Sequence, residues 1–272
     1  MRIVLVGKRS FIARAIVEAA RVRGIECLAL SHDDNLQGLA RDDTVINCAI
    51  HPTYRSGPYV PALDYDLKAA TQARQAQAHF IMLSTRRVYA APDRWDATET
   101  AIARGDNTAY GQNKAQSEDA VNAIFSGKAG IFRLSNVFGY EYDAMAARRS
   151  FFGLMLTSLK KENTIFFDMH PDTRRDFLPV VLTAQLLLDR ALQRTEGIYN
   201  LGSGAGLPCG RFADWVRDGY GGGNLVCTFP SIHDEFFLNM DKWRERFEMP
   251  VNEGVLNDYC TNLGRRLKCE KS

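Results

Sequence analysis

The amino-acid sequence predicts an α/β protein with a doubly wound parallel sheet and a small C-terminal lobe. Over the first two thirds of the chain, short apolar segments typical of buried strands alternate with segments of helical period. Strands separated by helices pair in parallel, with helices on both faces of the sheet. The 272 residues, 46% hydrophobic and 24% charged, suit one large globular domain with a small addition.

The predicted elements follow one another at short intervals. Residues 2–6 are almost all apolar and predict the first strand. Residues 11–22 place Ile12 and Ile16 on one helical face, and Gly24 ends that helix. Residues 31–43 are few and polar, and they leave room for at most a brief helix. The further predicted strands are residues 26–30, 44–49, 80–84 and 130–134, and the further helices are residues 62–77 and 110–125.

Beyond residue 140 the alternation becomes less regular. Predicted helices at 151–160 and 181–191 are mixed with short strands at 164–167 and 197–201. We therefore predict a dinucleotide-binding sheet domain over residues 1–160, to which residues 174–201 return. Residues 161–272 mainly form a smaller lobe, expected over the carboxyl edge of the sheet and to bind the substrate.

Composition and charge exclude several classes of protein. The formal net charge is +2 and Lys/Arg clusters are no longer than a pair, so no nucleic-acid partner is expected. No apolar segment approaches the ~20 residues of a membrane span, and we do not expect the N-terminal segment to act as a signal peptide. The six cysteines lack the spacing of metal ligands. These features predict free thiols, no metal site and a soluble cytoplasmic protein.

A loop of small and basic residues follows the first predicted strand. At a helix N-terminus, unpaired N–H groups and the helix dipole attract a pyrophosphate, and small residues let the backbone approach it. Two of the three glycines of the dinucleotide fingerprint are replaced here, so a plain strand–turn–helix is the alternative. The position after the first strand favours the dinucleotide site. The loop consists of Gly7, Lys8, Arg9, Ser10, Phe11, Ile12 and Ala13.

The end of the second predicted strand indicates which dinucleotide is bound. An acidic residue there would bind the ribose of NAD, but Ser31 occupies this place and is followed by His32. The cations of Lys8 and Arg9 would attract the additional phosphate of NADP. NADP(H) is therefore favoured, and NAD(H) is the alternative if Asp33 binds the ribose.

Tyr110 and Lys114 form a candidate catalytic pair. A spacing of four places both side chains on one helical face, one turn apart. A phenol is a poor base at neutral pH, and an ammonium beside it favours the phenolate. Lys114 can also hold the nicotinamide ribose. The fourth predicted strand ends in Ser84 and Thr85, whose hydroxyls can bind the substrate oxygen that Tyr110 protonates, or can instead form the turn.

Seven segments occur in the order found in one enzyme family. They are GKRSFIA (7–13), VINCA (45–49), LSTRRVYA (83–90), YGQNK (110–114), FRLSNVFG (132–139), RRDFLPV (174–180) and YNLGSG (199–204). Over roughly residues 1–250 the chain resembles the extended short-chain dehydrogenases/reductases, which include nucleotide-sugar epimerases, dehydratases and 4-ketosugar reductases. The resemblance implies a Rossmann dinucleotide-binding domain, a small substrate lobe and a homodimer. It implies catalytic roles for Thr85, Tyr110 and Lys114, cofactor packing for Ala49, and substrate-phosphate contacts for Asn136 and Arg175.

Three positions depart from the family pattern. Arg86 and Arg87 stand where the 4,6-dehydratases carry an acidic pair, so we do not expect dehydration. Asp66 stands where the family usually has an asparagine. For Arg175, which matches the family pattern, an ion pair with Asp172 or Asp176 is the alternative to a contact with the substrate phosphates.

The first functional hypothesis is reduction of a 4-keto group on a nucleotide-activated sugar, with Tyr110 as the general acid. One alternative is a nucleotide-sugar epimerase that uses the same residues with tightly held NAD. Others are a reductase of ketones without a nucleotide and a noncatalytic NADP(H)-binding regulatory protein.

Overall fold

Strands and helices alternate along the chain in the computed structural model, which describes residues 1–90, 94–141, 150–232 and 234–270. The strands are β1 Ile3–Val6, β2 Cys27–Leu30, β3 Thr44–Asn47, β4 His79–Thr85, β5 Trp95–Ala97, β6 Gly130–Leu134, β7 Asn136–Phe138, β8 Thr164–Phe167, β9 Arg174–Arg175, β10 Phe177–Pro179, β11 Gly197–Leu201, β12 Leu207–Pro208, β13 Asn224–Cys227 and β14 Phe237–Leu238. The helices are α1 Phe11–Val22, α2 Tyr65–Gln75, α3 Ala109–Phe125, α4 Phe151–Glu162, α5 Val180–Leu192, α6 Cys209–Tyr220, α7 Asp241–Arg244 and α8 Glu253–Cys269.

A parallel sheet of six strands lies at the centre of the part of the chain that the structure describes. Its strand order is β2-β1-β3-β4-β6-β11, and every neighbouring pair is parallel. After β1 the chain adds β2 on one side and then crosses to add β3 on the other. The carboxyl ends of β1 and β3 therefore flank a topological switch point, where doubly wound sheets bind their ligands. This sheet confirms the predicted fold class.

Two predicted elements differ from the observed ones for local reasons. The third strand was predicted to reach residue 49 but ends at Asn47, whose side-chain oxygen accepts the N–H of Ala49 and turns the chain. The helix predicted over 62–77 begins at Tyr65, because the carboxylate of Asp64 caps it by accepting the N–H groups of Asp66 and Leu67. Residues 31–43 form neither helix nor strand.

Alternate residues of the strands face two separate apolar layers. Ile3 and Leu5 face the layer that includes α1 and α5, whereas Val4 and Val6 face the layer that includes α2 and α3. Because both faces are covered, these strands are apolar without interruption. β11 is thus a strand of the central sheet and α5 packs against that sheet, although both follow residues of the lobe in sequence.

A second apolar cluster forms the core of the lobe. It contains buried residues of α4, α6 and α8 together with Phe138 and Phe177, whose rings contact Phe152 and Phe212. The predicted boundary at residue 160 would place α4 in the sheet domain, yet α4 contributes its buried side chains to this second cluster. We propose that the lobe begins before α4. No helix in the described ranges has the length and apolar character needed to cross a membrane.

Candidate active site

Two adjoining cavities open at the carboxyl ends of the central strands. Their volumes are about 390 and 400 Å³, and both are lined by Ile12, Ser84, Tyr110 and Leu134. The first cavity is lined by Gly7, Lys8, Arg9, Ser10, Phe11, Ile12, Ser31, His32, Asn47, Cys48, Ala49, Ile50, Arg55, Leu83, Ser84, Tyr110, Lys114 and Leu134. The second is lined by Ile12, Ser84, Thr85, Arg86, Arg87, Tyr110, Leu134, Ser135, Asn136, Val137, Phe138, Glu141, Ser150, Phe151, Phe152, Arg175, Phe177 and Asp234.

The loop after β1 forms one wall of the first cavity. Gly7 has a φ of +97°, and a Cβ at this position would lie 2.9 Å from the Cβ and the backbone nitrogen of Ala49. Only glycine allows both this conformation and the close approach of the two loops. The N–H groups of Gly7 and Lys8 donate to the carbonyl of Leu30, at 2.8 and 2.9 Å, and thereby tie the loop to the end of β2.

The N-terminus of α1 points to an anionic ligand. Ser10 is its N-cap residue but makes no capping hydrogen bond with its side chain, and the first turn carries no acidic residue. The N–H groups at a helix N-terminus and the positive end of the helix dipole are suited to a phosphate. Ala13, which the sequence placed in the cofactor loop, is fully buried in the sheet core and does not line the cavity.

Neutral and acidic side chains lie together at the carboxyl end of β2. Ser31 and His32 line the first cavity, and the ring of His32 stacks on Tyr65 with 4.6 Å between centroids. The side chain of Asp33, the alternative ribose ligand, is 81% exposed and lies outside the cavity lining. The carboxylate of Asp34, a residue for which no sequence pattern indicated a role, accepts the N–H of Ser31 at 2.7 Å.

Tyr110 and Lys114 both line the first cavity from α3. The helix begins one residue before Tyr110, because the Thr108 hydroxyl oxygen accepts the N–H of Gly111 at 3.1 Å. Lys114 is only 3% exposed. Its Nζ donates to the carbonyl of Leu83 at 2.9 Å, which fixes the ammonium against the end of β4. The structure thus brings the predicted pair to the same cavity.

Asp66 is a direct partner of Lys114. Its Oδ2 accepts from Nζ of Lys114 at 2.6 Å, and its Oδ1 accepts from Nδ2 of Asn47 at 2.7 Å. Burial lowers the pKa of Lys114, but Asp66, together with Tyr110 and Asp64, outweighs burial and the net pKa is raised. Burial also raises the pKa of Asp66, an effect that Lys114 opposes. The two groups therefore form a tightly coupled buried pair.

The two hydroxyls at the end of β4 have different roles in the structure. The Ser84 hydroxyl donates to the carboxylate of Glu118, which forms a buried ion pair with Arg133 at 2.7 Å. The Thr85 oxygen accepts the N–H of Arg87 at 3.3 Å and caps the short turn that follows. A hydroxyl has one proton to donate. That proton is committed in Ser84, whereas the Thr85 hydroxyl can still donate to a ligand in the second cavity.

Arginines gather around one carboxylate in the second cavity. Asp234 lies 2.8 Å from Arg86, 3.1 Å from Arg94, 3.6 Å from Arg175 and 4.0 Å from Arg87. Although burial raises the pKa of Asp234, these guanidinium groups lower it below its ordinary value. Its φ of +52° is in the left-handed region, which the surrounding contacts hold in place.

The buried arginine of this cluster is Arg86. It is 7% exposed, and its guanidinium lies 3.6 Å from the ring centroid of Phe236. Burial lowers the pKa of Arg86 to about 10, against the opposing effect of Asp234. The group remains a cation at neutral pH.

The ion pair of Arg175, considered above as the alternative to a substrate contact, is formed with a different aspartate from the two named there. Neither Asp172 nor Asp176 pairs with it in the described structure, whereas Asp234 does. Asp176 is fully buried and accepts from the N–H and hydroxyl of Ser203, at 2.8 and 2.6 Å. Asn136 lines the second cavity together with Arg175. Its contact with a substrate stays a prediction.

Several lining residues had no place in the sequence prediction. Asn47 ends β3, Cys48 and Ile50 follow it, and their position at the carboxyl end of a parallel strand was the signal that could have revealed them. Arg55 ends a short 3-10 helix and Asp234 lies in a bend, and neither position carries such a signal. No group of three or more metal-ligating side chains occurs among the residues that the structure describes.

Comparison with known proteins identifies relatives of the chain. Residues 1–205 match the family model described as the RmlD substrate binding domain. A comparison with curated protein sequences found no match. Among solved structures, an NAD-dependent NDP-hexosamine 5,6-dehydratase, TunA, superposes with a TM-score of 0.76 at 16% identity, covering 100% of this chain and 98% of the other.

Two further structures show the same fold. The UDP-N-acetylglucosamine 4-epimerase from Bacillus cereus has a TM-score of 0.76 at 16% identity and covers 97% of this chain and 99% of its own. WbmG from Bordetella bronchiseptica, solved with NAD and UDP, has a TM-score of 0.76 at 19% identity, covering 98% and 96%. At these identities the similarity establishes the fold.

Proposed function

The chain belongs to the RmlD substrate binding domain family, within the extended short-chain dehydrogenases/reductases, and from this premise we propose that it reduces a keto group of a nucleotide-activated sugar with NADPH. The cavities, their shared wall and their charges support this proposal.

The observation that carries the proposal is the position of Tyr110 between the two cavities. One cavity has the helix N-terminus and loop of a dinucleotide site, and the other has a surplus of arginine. A phenol in their common wall can reach both a nicotinamide and a substrate. Reduction of a ketone requires this arrangement, because the proton and the hydride arrive at the two ends of one C=O bond.

The residues present fit a dinucleotide. The close approach of Gly7 to Ala49 and the uncapped Ser10 leave backbone donors available for a pyrophosphate. Lys114 uses two of its three N–H donors on Asp66 and Leu83, which leaves one for a ribose hydroxyl. When bound, NADPH would supply the hydride.

The arginine cluster would hold the phosphates of the substrate. Asp234 contacts all four guanidinium groups, Asp106 pairs with Arg87 at 2.7 Å, and Glu141 also lines the cavity, so the four cations outnumber these three carboxylates by one. The remaining positive charge suits a diphosphate, and arginine forms bidentate hydrogen bonds with it. Asn136 and Arg175 line the same cavity and would orient this part of the ligand.

Chemistry at the keto group would fall to two side chains. The Thr85 hydroxyl donates to the carbonyl oxygen and holds it, and Tyr110 gives that oxygen its proton. Arg86 and Arg87 occupy the places where a dehydratase has acids, and as cations they cannot remove a proton from carbon. We therefore propose reduction and not dehydration.

A panel of nucleotide 4-ketosugars tests the function. We expect the protein to oxidise NADPH, followed by its near-ultraviolet absorbance, with at least one member of the panel. The Tyr110→Phe variant should lose at least about 100-fold in turnover, the usual contribution of a general acid, while its affinity for NADPH stays unchanged. Turnover at the parent rate by this variant would show that Tyr110 is not the acid.

An epimerase is the second candidate, because it would use the same residues and the family includes such enzymes. It would purify with tightly held NAD and convert its substrate without net oxidation of NADPH. Tightly held NAD in the purified protein, or conversion of a nucleotide ketosugar without net oxidation of NADPH, would replace the reductase proposal with the epimerase.

The cofactor preference has its own test. Lys8 and Arg9 are exposed at the rim of the first cavity and favour the extra phosphate of NADP(H), whereas the carboxylate of Asp34 beside Ser31 opposes it. We propose that the two cations dominate. Fluorescence titration should then give at least about tenfold tighter binding of NADPH than of NADH, and a Lys8→Gln, Arg9→Gln variant should lose this difference. Tighter binding of NADH by the parent protein would overturn this proposal.

A further inference from the structure

The ion pair between Asp66 and Lys114 stands directly behind the candidate proton donor. We propose that Asp66 is a positioning residue, which makes Lys114 one half of a net-neutral pair and so keeps Tyr110 a protonated, proton-donating phenol. The consequence for catalysis rests on the proposed function, but the effect on the phenol is a property of the protein alone.

Contacts with Lys114 and Asn47 hold the carboxylate of Asp66 in place on two sides. Asp66 and Lys114 are each 3% exposed, and their charged atoms are 2.6 Å apart. The amide of Asn47 donates to the other oxygen of Asp66 and prevents the carboxylate from turning away. Water cannot screen a pair this deeply buried, so its charges act on neighbouring groups at full strength.

The net charge of the pair decides what Tyr110 experiences. A lone ammonium one helical turn away would stabilise a phenolate. A carboxylate in contact with that ammonium cancels most of this field. The proton between two strongly coupled groups can lie on either one, but the pair carries no net charge in both cases. Lys114 therefore orients ligands through its N–H groups and stabilises a phenolate less than an unpaired ammonium would.

The other groups packed around the Asp66–Lys114 pair do not supply a positive charge in place of the one that Asp66 cancels. Burial raises the pKa of Cys48, Tyr54 and Tyr59, so these groups are neutral. Asp64 adds a second carboxylate, which accepts from Ser117 and from two backbone N–H groups of α2. Glu118 is paired with Arg133.

Cations do face Tyr110 from the cavities. In the described lining they are Lys8, Arg9, Arg55, Arg86, Arg87 and Arg175, with Asp106, Glu141 and Asp234 as the acidic groups that line or neighbour them. All of these keep their charges when Asp66 is changed. A substitution at Asp66 therefore isolates the effect of that single carboxylate.

A protonated phenol matters for the direction of the reaction. Reduction of a ketone needs a proton donor, whereas oxidation of an alcohol, the first half of epimerisation, needs a base. A neutral Asp66–Lys114 pair thus favours reduction.

The test follows the ionisation of Tyr110 directly in the cofactor-free protein. Tyrosine labelled with ¹³C at Cζ gives a signal that changes on ionisation, and the Tyr110 signal is the one absent from Tyr110→Phe. In Asp66→Asn we expect the midpoint of this ionisation to move to lower pH by about one unit or more, because the ammonium is then uncompensated. An unchanged midpoint would overturn the role of Asp66.

The matched control is Asp43→Asn. Asp43 is also 3% exposed and also pairs with a cation, Arg2, at 2.7 Å, but it precedes β3 at the opposite end of the sheet. This variant should leave the midpoint where it is. If Asp66→Asn fails to fold, as judged by circular dichroism, Asp66→Ser supplies a smaller neutral side chain with the same expected shift.

The experiment separates this inference from the proposed function. It uses no substrate, so a protein that reduces no ketosugar can still show the shift. A protein that reduces ketosugars but shows no shift would retain its function and lose the role assigned to Asp66.

Discussion

His79 is a buried histidine at the first residue of β4, at the end of the sheet opposite the cavities. Burial lowers its pKa to about 4, Arg194 adds to the effect, and its Nε2 has no hydrogen-bond partner in the described structure. The unfolded chain keeps a pKa near 6.5. Between these two values the unfolded state binds more protons than the folded state, so folding loses stability as the pH falls.

We expect the free energy of unfolding to drop by up to about 3 kcal/mol as the pH falls from 7 to 4 on account of this one residue. Urea unfolding at several pH values measures it. His79→Gln should flatten this part of the pH dependence, whereas His170→Gln, at a more exposed histidine, should not. An equally steep loss in His79→Gln would assign the effect to other groups.

The residues of the site differ in how far the sequence could locate them. Tyr110 and Lys114 were predicted together because the helical period alone places them on one face. Arg175 shows the opposite case, since its partner Asp234 follows 59 residues later and nearer aspartates seemed better candidates. The buried contact of Asp66 with Lys114 joins residues of two helices, and only the packing of α2 beside α3 reveals it.

At the scale of elements, α6 and α8 pack with their backbones in close approach. A Cβ on Gly264 would overlap the carbonyl oxygen of Val216, and a Cβ on Gly219 would overlap that of Thr261. The glycines thus let the two helices of the lobe lie side by side. Larger side chains here would force the helices apart and open the apolar cluster between them.

Gly264→Ala should therefore lower the free energy of unfolding by about 2 kcal/mol or more, despite the better helix propensity of alanine. Thermal and urea unfolding measure the change. Gly254→Ala serves as control, because it lies in the exposed first turn of the same helix. A Gly264→Ala protein as stable as the parent would mean that the close approach of α6 and α8 is not as described.

The elements that the sequence located best have the strongest local signals. α1, β6, β8 and β11 have the predicted bounds because apolar runs of clear period end at glycine or at polar residues. The short strands β9, β12 and β14 escaped prediction, since two residues contain no periodicity. Such pairs form where segments distant in sequence meet, as β9 meets β12 and β14 meets β5.

At the scale of the whole molecule, the two cavities lie where the sheet and the lobe meet. The sheet supplies the loop after β1 and the ends of β3 and β4, and segments around Arg175 and Asp234 close the second cavity. The ordered sequence motifs led to the prediction of a dinucleotide-binding sheet domain and a substrate-binding lobe. The arginine cluster could not be predicted, because it depends on tertiary packing. The homodimer implied by the family resemblance stays a prediction.

The fate of the hydride tests the central claim most directly, namely that Tyr110 and Lys114 face a nicotinamide and a keto group at once. The protein is mixed with NADPH deuterated at the transferable position and with a nucleotide 4-ketosugar, and the product is analysed by mass spectrometry. We predict one deuterium on the new carbinol carbon with the parent protein and at least about 100-fold slower formation of this deuterated product with Tyr110→Phe. A product without deuterium, or equal transfer by the variant, would contradict the account.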